Sequence, residues 1–185
     1  LFPFTGFCWG FLLFKSGIIS NFAVEIMTIA AIVVTDENNG VGNSYNFLSH
    51  LPAYMKFFNG LTKNYPVIMS RKTYEEVGHA LVGKRNYVIT RSPGYTAKGA
   101  KVFSTVKGAI KESGSDKVFL IGGGEMVTNL RDEITEIHRI LIKVRFKTDK
   151  FYPDINTKRF DLTSSECVNA EKGFLYCVEK WERLK

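Results

Sequence analysis

From Met27 onward, short apolar runs alternate with amphipathic stretches, and each run predicts an element. Thr28–Val34 (TIAAIVV) is nearly unbroken in its hydrophobicity, the pattern of a central strand buried on both faces. Thr35–Gly42 (TDENNGVG) carries turn chemistry, with Asn-Asn-Gly suited to positive φ. Asn43–His50 reads as a polar and aromatic loop. Leu51–Leu61 follows as a helix, with Pro52 in its first turn, where a missing N–H is no loss. Leu51, Met55 and Phe58 recur at helical spacing. Pro66–Met69 predicts a strand, Arg71–Val77 a short helix, Asn86–Thr90 and Val102–Phe103 two more strands, and Thr105–Glu112 an amphipathic helix. Val118–Ile121 (VFLI) is a buried strand that runs straight into Gly122-Gly123-Gly124, and a short helix comes next. Ile137–Phe146 is a longer strand, and strands near Phe160–Val168 and Phe174–Trp181 close the chain around a polar turn.

Strands alternating with helices, then strands following strands, predict an α/β fold. It has a mostly parallel central sheet, flanking helices and a C-terminal antiparallel hairpin. Ligands in such folds bind beyond the carboxyl ends of the strands. Residues 1–26 do not share this pattern. They are Phe-rich, begin with Leu, and carry one basic residue, Lys15, and one acidic residue, Glu25. The apolar stretch before Lys15 is shorter than the ~20 residues that span a bilayer, and no positive charge precedes it as in a secretory signal. The leading reading is translation upstream of a true start at Met27. A membrane-associating appendage and a genuine irregular extension are the other two. The chain is therefore divided into an extension, 1–26, and one domain, 27–185.

Composition narrows the class. With 185 residues, 45% hydrophobic and 14% aromatic, the chain can fill a core, which excludes disorder. Cys8, Cys167 and Cys177 are too few and odd in number for a disulfide scaffold, and they fit a reducing, cytoplasmic compartment. His50, His79 and His138 are scattered, so no metal is expected. The net charge of +7 draws anions, but the basic residues are dispersed rather than clustered in a run. The expected partner is a small phosphorylated molecule, with no nucleic acid and no membrane.

Three strand ends carry phosphate chemistry. Gly122-Gly123-Gly124 lets backbone N–H groups come close to a phosphate, or it is simply a tight turn. Ser70-Arg71-Lys72-Thr73 offers two cations and two hydroxyls at a helix start, or it is a capped helix with solvated charges. Thr90-Arg91-Ser92 repeats that chemistry at a third strand. The three together favour a nucleotide phosphate more than any one does.

In order and spacing, HLPAYMKFFNGLTKNYPVIMSRKTYEEVG, LVGKRNYVITRS, VFLIGGGEM, FYPD and YCVEKWER resemble the dihydrofolate reductase family. The resemblance covers nearly all of 27–185. It implies the dihydrofolate-reductase α/β sheet and NADPH as hydride donor. It further implies that Arg71, Lys72, Thr73, Thr90, Arg91, Gly122, Gly123, Gly124, Glu125 and Met126 bind the cofactor, and that Ala31 and Gly42 line the nicotinamide.

The folate half departs from the family pattern. Ser49 stands where the family has Trp, and Tyr54 where it has the acid that supports protonation of the pterin. No Asp or Glu lies between Glu37 and Glu75 to replace it. Lys84, with Arg85 beside it, takes the place of the Arg that clamps the folate glutamate, and Lys is the poorer bidentate partner. Val127 replaces a Tyr, and Ile140 falls near a pterin-binding Thr. The expected substrate side is Ser49, Tyr54, Phe58, Lys84 and Arg85, with Tyr54 as the candidate catalytic residue. The expected reaction is NADPH-dependent reduction of a pterin-type C=N, with dihydrofolate giving tetrahydrofolate. The alternatives are reduction of another heterocycle, such as a riboflavin-pathway pyrimidinone, and NADPH binding without catalysis.

Overall fold

The computed structural model describes residues 27–41, 52–122, 124–145, 147–148, 150–169 and 175–185, with 52–54 described by backbone alone. The extension 1–26, and with it Cys8, lies outside the described residues. The strands are β1 (Thr28–Thr35), β2 (Val67–Ser70), β3 (Asn86–Ile89), β4 (Lys101–Phe103), β5 (Lys117–Ile121), β6 (Glu136–Ile142), β7 (Phe160–Asn169) and β8 (Leu175–Arg183). The helices are α1 (Pro52–Leu61), α2 (Arg71–Val77), α3 (Val106–Ser113) and α4 (Gly124–Asn129).

All eight strands form one sheet, in the order β4-β3-β2-β5-β1-β6-β8-β7. β1 lies at its centre, parallel to β5 on one side and to β6 on the other, with Ala31 opposite both Leu120 and Ile137. β8 runs antiparallel to β6 and β7, which closes the expected hairpin. The central strands are apolar throughout because both faces are covered. Ala30, Ile32, Met69, Phe119 and Ile140 pack on one face with Phe58 of α1 and Tyr74 of α2. Ile29, Ala31, Ile68, Leu120 and Ile137 pack on the other with Ala109 of α3 and Met126 of α4.

Caps set the helix ends. Ser70 Oγ accepts from Thr73 N–H at 3.2 Å and starts α2, while Gly78, at φ 81°, ends it. Thr105 Oγ1 accepts from Gly108 N–H at 3.1 Å, so Thr105 is the cap before α3 rather than its first residue. β6 stops at Ile142, four residues short of the expected Phe146. The chain bends there: Val144 N–H donates to the Ile142 carbonyl at 2.8 Å, and the Val144 carbonyl accepts from Glu37 N–H.

The cysteine count misleads. Cys167 and Cys177 face each other across β7 and β8 and form a disulfide. An odd total says nothing against a pair placed opposite by hairpin register.

At the end of the sheet where the central strands β5 and β6 begin, Glu136 Oε2 lies 3.1 Å from His138 Nε2 and 2.6 Å from Lys117 Nζ. The His138 hydrogen bond first, and then the Lys117 ammonium, hold the Glu136 carboxyl at about 2, against its ordinary 4.5 and against the opposing effect of burial. A depressed carboxyl stabilises the fold above its unfolded pKa and loses that contribution as pH falls through its folded one. The loss, on the order of 3 kcal/mol, is expected between pH 4.5 and about 2. Denaturant titrations across that window should show Glu136→Gln flattening the pH dependence. An unchanged slope in the variant would mean other carboxyls carry it.

Candidate nucleotide and substrate cleft

A cleft of about 1540 Å³ opens over the carboxyl ends of β1, β2, β3 and β5, and residues from all four strand ends line it. This is where a parallel sheet with short strand-to-helix turns binds ligands.

The β2–α2 junction contributes Ser70, Arg71, Lys72 and Thr73 to the wall. The Ser70 and Thr73 hydroxyls are 3.0 Å apart. Arg71 Nη1 donates to Ser92 Oγ at 2.8 Å, Arg71 Nε lies 3.7 Å from Glu75 Oε1, and the guanidinium sits 5.7 Å over the Tyr95 ring. The end of β3 contributes Thr90, Arg91 and Ser92. Thr90 Oγ1 accepts from Ser92 N–H at 3.1 Å, which shapes the turn. The Arg91 side chain is exposed and 3.9 Å from Glu125 across the cleft.

The β5–α4 junction explains its first glycine twice over. Gly122 has φ 93°, which side-chained residues rarely adopt, and a Cβ there would lie 2.9 Å from both Cγ2 and Oγ1 of Thr73. The β5 turn and the β2–α2 turn thus meet backbone to side chain at the cleft floor. Gly124, Glu125 and Met126 line the same wall. Gly123 lies outside the described residues. Cations, hydroxyls and a glycine turn converging on one wall suit the phosphates of a dinucleotide. Ser104, Thr105 and Lys107, at the start of α3, line the cleft as well. No recognisable motif marks them in the sequence; their signal was a third strand-to-helix junction, after β4.

The exit from β1 is tied down from two sides. Asp36 Oδ1 accepts from Asn38 N–H at 2.8 Å and from Gly40 N–H at 2.7 Å. Val41 N–H donates to the Lys150 carbonyl at 2.9 Å, and Tyr152 N–H to the Asn39 carbonyl at 2.7 Å. Val41, Lys150 and Phe151 form the cleft wall that results. Burial pushes the Tyr152 hydroxyl up to about 12, so it stays protonated. Ala31 is fully buried, and its side chain packs toward α3 and α4, while its neighbours Ile32, Val33 and Val34 line the cleft. Gly42 lies outside the described residues.

Of the residues expected to meet substrate, Phe58 is buried in α1 and reaches the cleft, with the Lys84 ammonium 5.7 Å over its ring. Desolvation lowers the Lys84 pKa. Lys84 and Arg85 both line a second pocket, of about 490 Å³, with Lys101 and Glu112. Their charged ends have different partners: the Lys84 ammonium lies over Phe58, which reaches the main cleft, and Arg85 Nη1 donates to the Ser113 carbonyl at 2.5 Å. Tyr54 lies in the first turn of α1, one turn before Phe58, and Ser49 is outside the described residues. Val127 and Ile140 are buried, and Val127 lines the cleft. Among the described residues, no helix is long and apolar enough to cross a membrane.

Fold and cleft together define the class: an α/β protein with a cleft over the strand ends, lined by the cations and hydroxyls of two strand-end turns, a glycine turn, and apolar residues of β1 and α1. The family model described as dihydrofolate reductase matches residues 28–183. The dihydrofolate reductase of Bacillus subtilis (strain 168) is 30% identical over 139 residues, covering 75% of this chain and 83% of its own. The dihydrofolate reductase type 3 of Salmonella typhimurium is 30% identical over 129 residues, covering 69% and 80%. In structure, the chain is similar to dihydrofolate reductase from Enterococcus faecalis complexed with NADP(H) and RAB-propyl. The TM-score is 0.76, with 24% identity, over 86% of this chain and 98% of that one. The chain belongs to the dihydrofolate reductase family.

Proposed function

We propose that residues 27–185 form an NADPH-dependent reductase that adds hydride and a proton across a pterin-type C=N, with dihydrofolate as substrate and tetrahydrofolate as product. Membership of the family makes the chain an oxidoreductase acting on a CH–NH bond. The observation that carries the cofactor assignment is the close packing of Gly122 against Thr73, where a Cβ on Gly122 would lie 2.9 Å from Thr73 Oγ1, with Arg71 bonded to Ser92 beside it. A side chain at Gly122 would fill the space that lets two strand-end turns share one anionic ligand. Bound NADPH supplies the hydride. In this reading Arg71, Lys72 and Arg91 hold its phosphates, Thr73 and Thr90 orient them, and Gly122, Glu125 and Met126 shape the turn beneath. Phe58 excludes water from the substrate ring, and Lys84 faces the substrate's carboxylate tail. Tyr54, at the family's acid position, donates a hydrogen bond, and water delivers the proton.

Reduction of a different heterocycle is not favoured, since the matching family model and the two relatives described above are dihydrofolate reductases. A binding-only role is not favoured for the same reason. The partners under this reading are small molecules. A cytoplasmic location goes with it, although the Cys167–Cys177 disulfide is the kind of bond that persists in oxidising surroundings.

Arg71→Ala tests the cofactor wall. A charge-assisted pair is worth about 1.5–3 kcal/mol, so NADPH affinity should fall about 10- to 10²-fold. NADH lacks the 2′-phosphate and should bind as before, within about threefold. Calorimetric titration of both cofactors decides, and equal losses would remove Arg71 from the 2′-phosphate.

A further inference from the structure

Arg71 lines the cleft, but the groups that fix its direction include one that does not. The Tyr95 ring lies 5.7 Å from the guanidinium carbon and is absent from the cleft wall. It is half-buried and packs against the core cluster that contains Phe58 and Tyr74. Its loop is tied to α2 by the Tyr74 hydroxyl, which donates to the Lys98 carbonyl at 2.8 Å. Burial, and after it the Glu75 carboxylate, raise the Tyr95 hydroxyl above its usual range, so the ring is a neutral platform at working pH. Ser92 Oγ takes Arg71 Nη1 at 2.8 Å, and Glu75 stands one helical turn along, 3.7 Å from Arg71 Nε.

We infer that Tyr95 is a positioning residue that sets the preference of the cleft for a 2′-phosphorylated dinucleotide, by holding the Arg71 guanidinium over its ring and directed at the cleft. The inference rests on the reading of Arg71 as the partner of that phosphate. A long, flexible side chain loses rotamer freedom when it binds. A guanidinium already held against an aromatic face loses less, and the saving appears as affinity. Because NADH keeps the pyrophosphate but lacks the 2′-phosphate that Arg71 is read to hold, the saving belongs to NADPH alone. Nothing in the Arg-x-Thr motif points to this residue. Tyr95 is 24 positions from Arg71 in the chain, and the pairing of β2 with β3 brings the two together.

The test is the dissociation constants of NADPH and NADH, measured by calorimetry on the full chain, for Tyr95→Leu, Tyr95→Phe and Arg71→Ala. Thermal melting confirms that each variant is folded. Leucine keeps apolar packing and removes the ring, and phenylalanine keeps the ring and removes the hydroxyl. Tyr95→Leu is expected to weaken NADPH about five- to tenfold. NADH should stay within about twofold, and Tyr95→Phe should remain close to the parent. If Tyr95→Leu weakens both cofactors equally, the ring merely supports the loop, and the inference is overturned. If it weakens neither while Arg71→Ala still discriminates, the inference is overturned and the phosphate role of Arg71 stands. If Arg71→Ala fails to discriminate, the role of Arg71 falls, and that of Tyr95 with it.

Discussion

Tyr54→Asp is expected to raise dihydrofolate turnover by about 10²-fold or more, within the 10²–10⁴ range typical of a positioned acid or base. No carboxylate occurs between Glu37 and Glu75, and the first turn of α1 has no acidic residue. A phenol with a reference pKa near 10 delivers protons poorly at neutral pH. In place of a tyrosine, an aspartate would stand in the third position of a helix that begins at Pro52, where the helix dipole favours a negative charge. The helix should therefore accept the substitution, and melting temperature should hold or rise slightly. The measurement is kcat/KM for dihydrofolate at saturating NADPH, across neutral pH. A rise in kcat with NADPH affinity unchanged places the missing proton at this position. Turnover equal to the parent's would show that Ser49, Lys84 or Val127 limits the reaction instead.

Arg139→Ala is expected to destabilise the fold by about 3–5 kcal/mol, the cost typical of breaking a buried ion pair from one side. Arg139 Nε and Nη2 reach Glu179 Oε2 at 2.8 and 2.7 Å, and Trp181 Nε1 donates to the same oxygen at 2.9 Å. The Glu179 side chain is only 9% exposed, so losing Arg139 leaves a buried carboxylate with little to compensate it. Arg139 Nη1 also donates to Asn39 Oδ1 at 3.2 Å, and Asn39 holds the uncommon φ of 60° in the β1 exit. The substitution thus loosens the cleft wall near Val41 as well as the sheet. Urea denaturation of the variant measures the loss. Arg139→Met combined with Glu179→Leu should recover much of it, since no charge is left stranded. A loss below about 1 kcal/mol in the single variant would mean that water already reaches the pair.

What could be read in the sequence follows the reach of local chemistry. Thr28–Val34, Pro66–Met69 and Val118–Ile121 were legible as strands because burial on both faces leaves unbroken apolar runs. Each strand differs from its expected range by one residue at one end or both, and the cap residues Ser70 and Thr105 stand just before their helices. The grouping of cations, hydroxyls and glycines on one cleft was legible because Arg71, Lys72 and Thr73 are contiguous, as are Thr90 and Arg91, and Gly122 and Gly124 flank one turn. Contacts made by strand pairing were not. Ser92 meets Arg71 across 21 positions, and Arg139 meets Asn39 across 100. Cys167 and Cys177 were read as free because only the register of β7 against β8 places them opposite. Lys84 and Arg85 were read together on the substrate side, and their charged ends meet different partners, the Phe58 ring and the Ser113 carbonyl.

The most direct measurement is NADPH oxidation by the purified protein with and without dihydrofolate, with NADPH affinity determined in the same sample. Saturable oxidation that depends on dihydrofolate, slow in the parent and faster in Tyr54→Asp, is the predicted result. Normal NADPH binding with no dihydrofolate-dependent oxidation at any substrate concentration would contradict it.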